Sequence, residues 1–261
     1  VPEENKKLLL DIKELTVAGA DKRNALDQVS FSLTTGEILG VAGIAGSGQK
    51  ELCECIAGLC PALSGNILFK GEEIIGLNPR TIIRKGISMS FIPEDRLGMG
   101  LVGTMDIVDN MLLKSYQNKK GLFIDRKEGK DIAESIIEKF DINTPSVYHQ
   151  VKKLSGGNIQ KVLLGREINL CPQLLITAYP VRGLDIGASY NIYDALNEEK
   201  QKGVGILFIG EDLDVLLELS DRIMVLSHGK VMGILNASET NKEEIGLLML
   251  GQHSAKGVAV C

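Results

Sequence analysis

Residues 36–43, GEILGVAG, form a short apolar run that leads straight into GIAGSGQKEL (residues 43–52). A strand that turns through closely spaced glycines into a helix leaves few folds open. The start of such a helix carries backbone N–H groups with no intrahelical partner. Glycines at 43, 46 and 48 permit the left-handed dihedrals that a tight turn there demands. The later part of the chain alternates in the same way. QLLITA (173–178), VGILFIG (204–210) and RIMVLS (222–227) read as short buried strands, with ASYNIYDALNEEK (188–200) and EDLDVLLEL (211–219) as helices between them. Alternation of this kind predicts an α/β fold with a parallel sheet sandwiched by helices.

The earlier segments read differently. LLLDIKELTV (8–17) and ALDQVSFSL (25–33) alternate apolar and polar residues as strands do, and GNILFKGEEI (65–74) reads as a hairpin turning at Lys70-Gly71. Residues 49–59 read as one helix. NPRTIIRKG (78–86) has an Asn cap, a Pro at the first helical position and a terminal Gly. SMSFIPED (88–95) is a strand leading into a loop. Residues 104 to about 140 read as mainly helical, with a basic interruption, QNKKG, at 117–121, and a further helix follows Gly157. VLSHGKVMGIL (225–235) closes as a hairpin and NKEEIGLLML (241–250) as a final amphipathic helix.

The glycine loop is a candidate anion site. Unpartnered N–H groups and the positive end of the helix dipole favour a phosphate there, and Gly43, Ile44, Ala45, Gly46, Ser47, Gly48, Gln49, Lys50 and Glu51 are the residues that would surround it. In an intact phosphate loop the next two positions are Lys, for the outer phosphates, and a hydroxyl residue, for magnesium. Here they are Gln49 and Lys50. Gln49 offers only a neutral hydrogen bond, which nets about 0.5–1.5 kcal/mol against about 1.5–3 kcal/mol for one to a charged group. One residue along a helix rotates a side chain by about 100°, so Lys50 is expected to project away from the usual lysine direction and to set a positive charge where magnesium normally sits. A glycine turn without a ligand stays open as the plainer reading of this stretch alone. The glycine spacing disfavours a dinucleotide fold, which uses G-x-G-x-x-G.

Composition removes other classes. The net charge of −5 argues against a dedicated nucleic-acid binder. No apolar run approaches the ~18 residues of a membrane span, and the polar start VPEENKK is not a signal peptide. Five cysteines at 53, 55, 60, 171 and 261 are uneven in spacing and suggest free thiols in a reducing compartment. Cys53, Cys55 and Cys60 share one helical stretch with no fourth ligand at zinc-site spacing, so they read as small core residues and no metal site is assigned.

LSGGNIQK (154–161) narrows the choice. Ser155 can cap a helix, and Gly156 and Gly157 let its backbone approach a phosphate. The stretch strongly resembles the signature motif of ATP-binding cassette (ABC) proteins, and from there the resemblance extends over residues 8 to about 251. In that family a short apolar strand ending in Asp-Glu follows the signature. Here Leu174, Leu175, Ile176 and Thr177 are followed by Ala178 and Tyr179, and Pro180, Gly183, Leu184 and Asp185 resume the family pattern. The resemblance thus places Ala178 at the metal-orienting carboxylate and Tyr179 at the catalytic one. It places Glu94 at the loop glutamine and Glu211 at the switch histidine, and assigns Asp185 to the nucleotide-contacting set. His228 reads as a turn residue of the later hairpin. The aromatic residue that stacks on adenine in many cassettes is missing near Val17-Ala18.

GIAGSGQKEL, IPEDRLGMGL, LSGGNIQK, PVRGLDIGA and GEDLDVLLELSDRI together resemble the C-terminal, degenerate cassette of fused two-cassette ATPases that power sugar or nucleoside import. That resemblance implies a P-loop NTPase (RecA-like) core with a parallel sheet, an N-terminal antiparallel β subdomain and an inserted α-helical subdomain. The expected layout is a single cassette domain, residues 1–261, with 1–100 and 154–261 as nucleotide-binding core and 101–153 as helical subdomain. It implies ATP as ligand, with Mg²⁺ doubtful at this chain's own site and no catalytic residue intact. It implies a second, N-terminal-type cassette whose ATP site Ser155, Gly156 and Gly157 complete. Transmembrane permease subunits would dock at the helical subdomain and the loop around Glu94. The expected location is cytoplasmic, peripheral on the inner face of the cell membrane, without direct insertion and without nucleic acid. A chain that opens at the cassette's first strand is expected to be half of a longer protein or an excised domain. A cassette of a soluble, non-transport ABC protein and a nucleotide-sensing regulatory module are the alternatives; co-purification with a permease separates them.

Overall fold

The computed structural model describes residues 6–19, 23–91, 100–114, 126–182, 184 and 186–252. It falls into two compact units. One comprises residues 1–89, 172–178 and 196–261, the other residues 90–171 and 179–195.

The first unit holds two sheets. Strands β1 (Leu8–Ala18), β2 (Asn24–Thr34), β4 (Ser64–Phe69) and β5 (Glu72–Glu73) form an antiparallel sheet in the order β2-β1-β4-β5. Register pairs Ile12 with Phe31 and with Ile67, so the apolar face of each strand meets the same core. The second sheet has six strands in the order β10-β9-β3-β8-β7-β6, with β3 (Ile38–Gly43), β6 (Ile87–Phe91), β7 (Leu174–Ala178), β8 (Gly205–Ile209), β9 (Arg222–Ser227) and β10 (Lys230–Asn236). Pairs β3–β8, β3–β9 and β7–β8 are parallel and β9–β10 antiparallel. Strands β7 and β8 are buried along their whole length, as strands covered on both faces must be, and that is why they read as unbroken apolar runs.

Helix α1 (Gln49–Ile56) follows β3 after the glycine loop. It is shorter than the 49–59 expectation, because Gly58 N–H donates to the Cys55 carbonyl and Leu59 N–H to Glu54 at 2.8 Å, which closes the helix at that turn. Helix α2 (Pro79–Arg84) is capped by Asn78, whose side chain accepts from Thr81 N–H. Helices α7 (Leu213–Leu219) and α8 (Lys242–Met249) complete this unit, the first capped by Asp212 and the second by Asn241.

The second unit is helical. It contains α3 (Ile107–Leu112), α4 (Arg126–Lys139), α5 (Gly156–Asn169) and the first part of α6 (Ile186–Gln201). The expected helical stretch from 104 to about 140 is therefore two helices among the described residues, and QNKKG lies outside them. Behind α5 sits a buried charge cluster. Arg166 and Glu167 are 2% and 0% exposed, Arg166 Nη2 reaches Glu167 Oε1 at 2.7 Å, Lys114 Nζ reaches Oε2 at 2.6 Å, and Arg166 Nη1 donates to the Gly100 carbonyl at 2.6 Å. Burial pulls the Lys114 ammonium below its usual range, and the Glu167 charge opposes that.

Candidate functional site

Strands β9, β3, β8 and β7 are neighbours, and their C-terminal ends bring three sequence-predicted positions to one edge of the sheet: the loop after Gly43, Gly210-Glu211 after β8, and Ala178 at the end of β7. Ala178 is paired with Ile209 and fully buried. The carboxyl edge of a parallel sheet is where such folds bind ligands.

The loop turns through two left-handed glycines. Gly46 and Gly48 have φ of 84° and 104°. A Cβ on Gly48 would lie 2.5 Å from the Ala25 carbonyl oxygen, whereas one on Gly46 would meet nothing within 4 Å. The first is thus needed for close packing and the second faces open space. Ser47 N–H turns back to the Ile44 carbonyl at 3.0 Å. The first helical hydrogen bond comes from Leu52 N–H to the Gly48 carbonyl at 2.9 Å, which leaves the N–H groups of Gln49, Lys50 and Glu51 ahead of it at the helix start.

The two unusual side chains diverge. Gln49 is 4% exposed and folds across the loop, where its Nε2 donates to the Ile44 carbonyl at 3.2 Å and packs against Gly43. Its amide is engaged by the loop. Lys50 runs the other way, with its side chain 56% exposed and its Nζ 3.8 Å from Glu54 Oε1 one turn further along the helix. Its charge therefore sits with Glu54, and the expected repulsion of a metal at the loop loses force. The donor set is a different matter. Position 50 carries no hydroxyl, Ala178 carries no oxygen on its side chain, and no group of three or more His, Cys, Asp or Glu residues among those described could hold a metal ion. The described residues therefore lack the two side-chain oxygens, at positions 50 and 178, through which such a loop ordinarily holds magnesium.

In β7, Thr177 Oγ1 is buried without a hydrogen-bond partner among the described residues. Tyr179 leaves β7 with φ of 56°, unusual for a bulky residue, and the Arg182 guanidinium lies 5.6 Å from its ring centroid. Glu211 is exposed. Glu94, Gly183 and Asp185 lie outside the described residues. His228 sits in the β9–β10 turn with φ of 50°, exposed, its Nδ1 3.1 Å from Ser227 Oγ. One contact had no signal in the sequence: Gly229 N–H, in that same turn, donates to the Ser47 carbonyl at 3.1 Å and its carbonyl accepts from Asp27 N–H at 2.8 Å. The hairpin thereby clamps the glycine loop to β2.

In the helical unit, α5 starts at Gly156, with Ser155 as its cap accepting from Asn158 N–H. Ser155 is exposed, and Gly156 and Gly157 are half-buried at the helix start. A Cβ on Gly157 would approach Leu184 Cδ2 at 2.8 Å.

The sequence pattern that defines the ABC transporter family matches residues 26–180, more than half of the chain. The chain belongs to the ABC transporter family. Among its ABC relatives, the guanosine import ATP-binding protein NupO of Bacillus subtilis is 40% identical over 246 residues, which cover 93% of this chain and 48% of that protein. The ribose import ATP-binding protein RbsA 1 of Rubrobacter xylanophilus is 37% identical, covering 93% and 49%. The nucleoside import ATP-binding protein NupA of Lactococcus lactis is 37% identical, covering 94% and 49%. The chain spans about half the length of these curated relatives. Its fold matches the crystal structure of a nucleotide-free ATP-binding cassette from an ABC transporter, with a TM-score of 0.76 at 23% identity over 94% of this chain and 96% of that one. It likewise matches the dimeric structure of a bacterial ABC transporter cassette, with a TM-score of 0.76 at 20% identity over 88% and 99%. The ABC cassette fold, a P-loop core with a mixed, largely parallel sheet, an antiparallel sheet and a helical part, is thereby established. No helix among the described residues is long and apolar enough to cross a membrane.

Proposed function

We propose that this chain is the degenerate, C-terminal-type ATP-binding cassette of a sugar or nucleoside importer, and that its signature turn completes the ATP site of a partner cassette. The names of its relatives and the half-length match to each support an importer ATPase with two such cassettes. The observation that carries the asymmetric reading is the contrast within one chain. Gln49 is bonded to its own loop and Ala178 is a buried methyl group, while exposed Ser155 and half-buried Gly156 and Gly157 form a capped helix start.

The mechanism follows from those residues. The helix-start N–H groups of Gln49, Lys50 and Glu51 hold a terminal phosphate of ATP without a charge-assisted partner, so binding is weak. No carboxylate stands at 178 or 179 to orient water, and losing such a general base costs roughly 10² to 10⁴ in rate. Each lost electrostatic stabiliser costs roughly 10² to 10³ more, though not additively. The chain's own site is therefore nearly silent. Its signature turn presents the Ser155 hydroxyl and the N–H groups of the α5 start to ATP held on the phosphate loop of the partner. Residues 101–153 serve as the inserted helical subdomain, and with the sequence segment around Glu94 they receive the permease at the inner face of the membrane.

The test is turnover in two settings. The isolated chain is expected to hydrolyse ATP barely above background. In the paired protein, Gly156→Val abolishes most turnover, whereas Gln49→Ala changes it little. Hydrolysis of several ATP per second by the isolated chain overturns the proposal.

A further inference from the structure

The Ser155 hydroxyl is not held by the helix cap alone. Asn158 donates to Ser155 Oγ twice, from its backbone N–H at 3.4 Å and from its side-chain Nδ2 at 3.0 Å. The orientation of that side-chain amide is fixed from outside the helix. Its Oδ1 accepts from Asn143 N–H at 3.2 Å, and its Nδ2 donates to the Asn143 carbonyl at 3.2 Å. A backbone N–H can only donate and a carbonyl can only accept, so the amide cannot be flipped without opposing like groups. Asn143 in turn sits just beyond Asp141, whose φ is 47° and whose carbonyl accepts from Lys161 Nζ at 3.0 Å. The segment after α4 and the first turns of α5 are thereby locked together by groups of known polarity.

A serine hydroxyl has two acceptor sites and one proton. Both donors from Asn158 occupy the acceptor side. Neither can receive the hydroxyl proton, which is left to point outward from an exposed residue. We propose that Asn158 is a positioning residue: by filling the acceptor side of Ser155 Oγ it makes that hydroxyl an obligate donor, aimed at a phosphate oxygen of a nucleotide held by the partner cassette. This role rests on the proposed function, in which the signature turn meets partner-bound ATP. Preorganised donors of this kind are what stabilise charge that develops during phosphoryl transfer.

The role separates from mere structure by the choice of replacement. Asn158→Ala removes the side-chain donor and leaves the backbone one, so the hydroxyl is only partly released. Asn158→Asp puts an acceptor where the donor was. The Ser155 proton then turns inward to the carboxylate and the outward donor is lost. In the assembled transporter with an intact partner cassette, Asn158→Ala is expected to lower kcat roughly three- to tenfold. Asn158→Asp is expected to lower it roughly a hundredfold, as far as Ser155→Ala does. In a Ser155→Ala background, adding Asn158→Ala changes kcat by less than about twofold, because there is no hydroxyl left to aim. Thermal melting of each variant monitors folding, and the double variant keeps the test decisive if Asn158→Asp proves unstable. The role is overturned if Asn158→Ala lowers kcat by the same factor with and without Ser155, or if a folded Asn158→Asp is no worse than Asn158→Ala. Wild-type turnover by Ser155→Ala overturns both this role and the proposed function beneath it.

Discussion

Replacing Gln49 by Ala separates a loop brace from a phosphate ligand. The side chain is 4% exposed and its amide donates to the Ile44 carbonyl at 3.2 Å. The substitution removes one neutral hydrogen bond and one buried methylene, together about 1.3–2.3 kcal/mol. The Ile44 carbonyl keeps its bond from Ser47 N–H at 3.0 Å, and Ala45 and Gly46 beside it are exposed to water, so the lower end of that range is favoured. For a chain of this size the loss corresponds to a fall in melting temperature of about 3–9 °C, read by circular dichroism or dye-based melting of the isolated chain. ATP affinity, measured by calorimetry well below the melting transition, is expected to stay within about threefold of wild type, since the amide bonds the loop and the phosphate donors are backbone N–H groups. An unchanged melting temperature combined with a more than tenfold loss of affinity refutes this reasoning, because it makes Gln49 a ligand-facing group.

Three further outcomes test the surrounding structure. Glu167→Ala strands the Arg166 guanidinium, 2% exposed, without its carboxylate, and should destabilise the chain to urea by about 3–5 kcal/mol, with Lys114→Met costing much less. Among the four described cysteines, alkylation at pH 8 should mark exposed Cys171 first and half-buried Cys60 more slowly, sparing Cys53 and Cys55 until unfolding; burial raises the Cys53 thiol far above its ordinary range and pushes Cys55 up to about 12. Glu73 is drawn upward by burial, but hydrogen bonds from Asn66 and the N–H groups of Ile75, Ile67 and Ile74 outweigh that and leave it below its ordinary value of 4.5. Its contribution is therefore present above pH 4.5 and fades as pH falls through the lowered value, so the stability gap between wild type and Glu73→Gln should narrow in acid unfolding measurements as pH is taken below 4.5.

What was legible in the sequence followed local rules. Strand β9 was bounded correctly at 222–227 because both of its faces are covered and its apolar run is unbroken. The Lys70-Gly71 turn was legible from turn chemistry, and both residues adopt positive φ. Asn78 and Ser155 announced themselves as caps by residue type and place. The parts that were not legible depend on partners far along the chain. The direction of Gln49 is decided by a carbonyl five residues back in a loop whose path no periodicity encodes. The clamp from Gly229 to Ser47 joins two backbone groups, and backbone groups leave no mark in a sequence. The same holds for Asn143, which grips Asn158 through its main chain. Lys50 illustrates a partial success. Helical geometry takes it off the usual lysine direction but also expects its charge at the metal position, whereas the structure shows that charge drawn to Glu54, so the case against magnesium moves from repulsion to the oxygen donors missing at positions 50 and 178.

In the proposed function the loop keeps a backbone cradle and lacks the side chains for metal-assisted cleavage. The most direct measurement is the affinity of the isolated chain for ATP by titration calorimetry, with magnesium and with a chelator. The account predicts weak binding that differs by less than about twofold between the two. A tightening of more than tenfold on adding magnesium, equivalent to about 1.4 kcal/mol, would contradict it.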